Sequence, residues 1–100
     1  MLHTVNKSPF ERDSLDTCLR LAKAGSDILL IEDGVYGALA GTVASAKVQK
    51  AMATMKFHVL EPDMKARGID PAKLIPGVNK VGYDGFVKLA ADNDRVQAWL

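Results

Sequence analysis

Apolar residues along this chain keep two rhythms, short unbroken aliphatic runs and longer stretches that repeat every three or four positions, and their alternation predicts strands interleaved with helices. Met1 to Val5 reads as a strand that Asn6-Lys7-Ser8-Pro9 ends with turn chemistry. Asp13 or Ser14 then caps a helix whose Leu15, Cys18, Leu19 and Ala22 form one apolar stripe, and Gly25 stops it. Asp27-Ile28-Leu29-Leu30-Ile31-Glu32 has four consecutive aliphatics, the pattern of a central parallel strand covered on both faces.

Beyond Glu32-Asp33-Gly34 the periodicity predicts a short helix from Val35 to Ala40 and a longer one from Ala44 to Met55. Lys56 to Leu60 is a third strand, and Glu61-Pro62-Asp63 opens a short helix that Gly68 closes. Val78 to Val81 offers a fourth strand, Tyr83 to Ala91 a helix with Phe86, Val87 and Ala90 inward, and Val96 to Leu100 a fifth strand at an edge. Strands that alternate with helices imply right-handed crossovers. The fold class is therefore α/β, a three-layer sandwich around a mostly parallel sheet of about five strands, and residues 1–100 form a single domain.

Composition narrows the function. The thirteen basic residues are scattered among twelve acidic ones for a net charge of +1, so no basic track marks a nucleic-acid surface. The uncharged run from Gly34 to Ala46 is too short to span a bilayer, and the opening residues lack the basic and apolar regions of a signal peptide. The expected compartment is the cytoplasm, where thiols stay reduced.

Candidate chemistry is sparse. Gly34-x-x-Gly37-x-x-x-Gly41 is not the dinucleotide fingerprint and suits close packing instead. His3, His58 and Cys18 lack metal-ligand spacing, so neither a metal nor a cofactor is expected. Ligands of open parallel sheets gather beyond the carboxyl ends of the strands, where Asn6 to Phe10, Glu32 to Tyr36 and Glu61 to Asp63 should emerge. Glu32 and Asp33 could polarise a partner group or anchor a loop, but an acidic pair before a helix suits a capping role better, and Tyr36 covers the sheet end or meets a partner.

Cys18, the one cysteine, has two readings. It is a core filler with a raised pKa, or a thiolate nucleophile that His3 on the neighbouring strand could favour. The run ends on Trp99-Leu100, an apolar pair that needs burial in its own domain or against a partner.

Met1 to Phe10, Leu29 to Tyr36, Asp63-Met64-Lys65-Ala66-Arg67-Gly68, Gly85-Phe86-Val87 and Val96-Gln97-Ala98-Trp99 together resemble the DsrH/TusB family of sulfur-relay subunits. The resemblance runs nearly end to end. It implies a DsrE-like fold and a place in a heterohexamer with DsrE-like and DsrF-like subunits (TusD and TusC type), where the best-supported sulfur-carrying cysteine belongs to the DsrE or TusD chain. Persulfide sulfur then passes to a DsrC-like acceptor in dissimilatory sulfur oxidation or to a TusE-like acceptor for tRNA wobble-uridine 2-thiolation. A cysteine in the first helix is a feature of the sulfur-oxidiser type, so Cys18 favours DsrH over TusB. In that setting Cys18 is a candidate auxiliary sulfur acceptor, and the chain is a sulfur-carrier subunit rather than a stand-alone enzyme, or else a purely structural subunit without sulfur chemistry of its own; Tyr36, Trp99 and Leu100 remain the interface candidates that their residue types suggest.

Overall fold

A computed structural model describes all of residues 1–100. Five strands, β1 (Leu2–Val5), β2 (Asp27–Leu30), β3 (Lys56–Leu60), β4 (Asn79–Val81) and β5 (Val96–Trp99), form one sheet in the order β4-β3-β2-β1-β5. Every pairing in it is parallel. The helices are α1 (Ser14–Leu21), α2 (Ser45–Ala51), α3 (Glu61–Ala66) and α4 (Tyr83–Asp92), with 3-10 segments at Glu32–Ala38 and Pro71–Lys73.

The order of strands decides which helix covers which face. From β1 to β4 each crossover steps one strand in the same direction, and right-handed connections keep α1, α2 and α3 on one side. There Leu15 and Cys18 of α1, Val48 of α2 and Met64 of α3 pack on Val5, Ile28, Leu30, Phe57 and Val59 as one buried cluster. Phe57 is its largest member, and cutting a buried phenylalanine to alanine costs about 3–5 kcal/mol.

The last connection runs backwards over three strands to place β5 beside β1, so its helix must lie on the other face. Leu2, Leu29 and Leu60 alternate with the residues of the first cluster, and all are buried on that second face. Asn93, just after α4, reaches the sheet there: its Nδ2 donates to Asp27 Oδ2 at 3.2 Å. The helix itself has no fully buried residue. Val87, expected inward, is 69% exposed, because the helical turn that points Phe86 and Leu89 at the sheet carries Val87 away from it.

Several predicted boundaries shift. The helix expected from Ala44 to Met55 stops at Ala51 and finishes in turns, and the one expected from Val35 to Ala40 is a 3-10 segment beginning at Glu32. Its start is forced by Glu32, whose φ of +49° turns the chain sharply out of β2. β5 holds the edge, as its pattern predicts.

Candidate functional site

Parallel strands deliver their carboxyl ends to one rim of the sheet, and β1, β2 and β3 bring Asn6, Glu32 and Glu61 out together there. The backbone fixes this rim closely. Ile31 N–H donates to Val5 O at 3.0 Å, and Gly34 passes so near that an added Cβ would lie 2.0 Å from Val5 O. Only glycine fits there.

The acidic residues of the rim serve as ties. Glu32 N–H donates to Asp63 Oδ2 at 2.6 Å, linking the exit of β2 to α3. Arg67 Nε donates to Asp33 Oδ1 at 2.9 Å and its Nη1 to Asp63 O at 3.1 Å. Glu32 and Asp33 fall in the first turn of the 3-10 segment and neither makes a side-chain cap; Asp33 instead anchors Arg67, and Glu32 contributes only its backbone N–H. Asn6 Oδ1 is buried at the same rim without a hydrogen-bond partner. Tyr36 is half-buried in the 3-10 segment, and Phe10 stands half-exposed nearby in sequence to Ser8, whose Oγ accepts its N–H. No thiol is among these rim residues.

Cys18 lies elsewhere, on the inner side of α1. It is 0% exposed and sits in the cluster with Leu15, Ile28 and Phe57. Burial pushes its thiol up to about 12, which keeps it protonated at neutral pH. The contact considered between His3 and Cys18 gives way to another. Trp99 Nε1–H donates to His3 Nδ1 at 3.0 Å, and the two rings stack with centroids 6.1 Å apart. That bond uses the lone pair of a neutral imidazole, so the ring proton must reside on Nε2. Burial, then the positive amino terminus, lowers the pKa of His3 further. Trp99 is thus docked on its own sheet, whereas Leu100 is 82% exposed.

On the other face His58 meets Asp27. A carboxylate only accepts, so His58 Nε2–H donates to Asp27 Oδ1 at 2.9 Å, leaving the buried Nδ1 without a partner. Burial works to raise the pKa of Asp27, but hydrogen bonds from His58 and Asn93 and the charges of His58 and Lys56 outweigh it, and the carboxyl is held below its usual range. Sequence reasoning missed this Asp27–His58–Asn93 clamp. The one available signal was a carboxylate at the head of an apolar strand.

Between α1 and α2 runs an apolar-floored groove of about 500 Å³, over which Lys47 pairs with Asp16 while Arg20 and Lys50 rim it. No group of three or more His, Cys, Asp and Glu is arranged to hold a metal ion, and no helix is long and apolar enough to cross a membrane.

Comparison with known proteins agrees with this architecture. The ychN protein from E. coli superposes with a TM-score of 0.81 at 20% identity over 97% of both chains. A protein of unknown function from Methanobacterium thermoautotrophicum does so at 0.75 and 16% over 97% of this chain and 96% of that one. These likenesses establish the fold. In sequence, the chain is 42% identical over 99 residues to the protein TusB of Erwinia tasmaniensis and 37% identical over 99 residues to that of Sodalis glossinidius, in each case over 99% of this chain and the whole of the relative. Relatives named TusB thus stand where Cys18 had favoured the DsrH type. With the DsrH like protein family matching residues 7–96, this chain belongs to the DsrH/TusB family.

Proposed function

We propose that this chain is a TusB-type subunit of a cytoplasmic sulfur-relay complex, in which residues 1–100 act as one domain and persulfide sulfur passes toward tRNA wobble-uridine 2-thiolation. The observation that carries the reading is the full-length similarity to proteins named TusB. Its partners are TusC-like and TusD-like chains in a heterohexamer, with a TusE-like protein as acceptor.

In such a relay an acceptor thiolate attacks the outer sulfur of a donor persulfide. The donor S–S bond breaks, the donor leaves as thiolate, and a new persulfide forms with no net redox change. A thiol that is fully buried and protonated at neutral pH is poorly suited to this step, which supports a scaffold role for Cys18. Sulfur then travels on a partner's cysteine, and this subunit completes the assembly around it.

A second destination, a DsrC-like acceptor in sulfur oxidation, rests on the presence of Cys18 in α1. Reconstitution distinguishes them. The chain should co-purify with TusC-like and TusD-like partners, and the complex should load radiolabelled persulfide sulfur onto a TusE-like acceptor at the same rate, within about two-fold, when Cys18→Ala replaces the wild type. Failure to co-purify overturns the reading. A drop of ten-fold or more in an assembled Cys18→Ala complex places Cys18 in the relay, and transfer to a DsrC-like acceptor alone moves the destination to sulfur oxidation.

A further inference from the structure

At the amino end of the sheet, opposite the rim described above, a hollow of about 420 Å³ opens between the start of β1 and the turn that leads from α1 into β2. Met1, His3, Leu21, Lys23 and Ser26 are among its walls, and no aspartate or glutamate lines it. The turn is tied down on both sides. Gly25 N–H donates to Thr54 O at 2.7 Å and Ser26 N–H to Lys23 O at 3.1 Å, while Ser26 O accepts Lys56 N–H at 3.0 Å. These walls are set before any ligand arrives, which lowers the cost of binding one.

Three donors of the walls have no acceptor in the chain. His3 and Ser26 are each only 4% exposed, yet neither His3 Nε2–H nor Ser26 Oγ–H is hydrogen-bonded, and neither is among the buried orphan atoms, which are Asn6 Oδ1 and His58 Nδ1. Both donors therefore keep open space before them, and the open space that these two residues border is the hollow. The bond from Trp99 Nε1–H to His3 Nδ1 pins the ring proton on Nε2, so His3 is a fixed donor there. Lys23 takes part in none of the chain's ion pairs. Asp92 and Asp94 border a separate hollow that shares only Met1 with this one.

We propose that this hollow binds a small phosphate monoester, its phosphoryl oxygens taking His3 Nε2–H, Ser26 Oγ–H and Lys23 Nζ, and its organic body lying against Leu21 and Met1. Buried donors without acceptors favour an anion, and a phosphate ester turns three oxygens away from its ester bond where a carboxylate has only two. Inorganic phosphate alone would leave most of the volume empty. Leu21 and Met1, 60% and 44% exposed, supply the apolar surface that an attached organic group would cover. The site lies at the other end of the strands from the rim, and it holds or fails without the sulfur-relay reading.

Long-range 1H–15N spectra of the full chain, which resolve the ring nitrogens of His3 and His58, test the site. Phenyl phosphate should move His3 Nε2 along a saturable curve with a Kd of about 1 mM or tighter, while His58, on the other face of the sheet, stays in place. Inorganic phosphate should bind at least about three-fold more weakly, because it leaves Leu21 and Met1 uncovered. Ser26→Ala and Lys23→Gln, each shown to be folded by circular dichroism, should weaken phenyl phosphate by at least about five-fold. The absence of a saturable His3 shift at millimolar phenyl phosphate overturns the proposal. So does an equal shift at His58, inorganic phosphate binding as tightly as the ester, or a folded variant that binds as well as the wild type.

Discussion

Replacing Trp99 by phenylalanine keeps an aromatic ring in place but removes the indole N–H that His3 Nδ1 accepts. His3 is buried, so its lone pair then lacks both the indole and water. A lost hydrogen bond with one partner stranded costs about 1–2 kcal/mol at pH 7.5, and a 100-residue domain loses about 4–8 °C of Tm for each kcal/mol. The cost must itself depend on pH. The folded pKa of His3 lies below its unfolded value of 6.5, so its contribution is fully present above 6.5 and is lost as pH falls toward the folded value. Protonated His3 offers Trp99 a donor where an acceptor is needed. Trp99→Phe should therefore cost less at pH 5 than at pH 7.5, measured by urea unfolding followed by circular dichroism. An equal cost at both values would refute the assignment of the Nε2–H tautomer and of the latch between β1 and β5.

Gly34→Ala should destabilise by about 3 kcal/mol or more, or prevent folding, since its Cβ meets a backbone oxygen that cannot move aside. Gly37→Ala, whose Cβ would be crowded most by the side-chain atom Leu15 Cδ2 at 3.2 Å and would otherwise meet Leu30 and Pro9 at ordinary contact distances, should cost under about 1.5 kcal/mol, and thermal melts of the two variants compare them directly. Asp27→Ala leaves both ring nitrogens of His58 without partners and should cost about 2–3 kcal/mol in urea unfolding at pH 7. Because the folded pKa of Asp27 lies below 3.8, its contribution is complete above 3.8 and fades at more acid pH, so the difference from wild type should shrink there. Cys18 should react with a thiol reagent at pH 8 at least a hundred-fold more slowly in the native chain than in 6 M urea, as followed by mass spectrometry.

The strands β2 and β3 were legible because each is a short, largely apolar run ended by turn residues, and Lys56–Leu60 matches its predicted bounds without change. The helices were less so. The α2 segment is rich in alanine and lysine, good helix formers on any face, so its periodicity gave no signal for an end at Ala51. Val87 is apolar yet faces solvent, because a single helix roofing the second face leaves its outer stripe uncovered. Of the candidate site, Cys18 was correctly placed on an apolar stripe, but the partners of His3 and His58 come from residues 96 and 31 positions away. Local pattern carries no information at that range. Arg67 was likewise out of reach, since its pairing with Asp33 depends on how α3 settles against the exit of β2.

The strand order also bears on how the chain assembles. β1, β2 and β3 are sequential neighbours, so they can zip from contacts some 25–30 residues apart, whereas β5 must find β1 with Leu2 opposite Val96. Closing nearly the whole chain as a loop carries a late entropic penalty, and high contact order slows such steps. Until that final stitch is made, the β1 backbone lies bare along one side, and any condition that delays it leaves a nascent sheet open to the wrong neighbour.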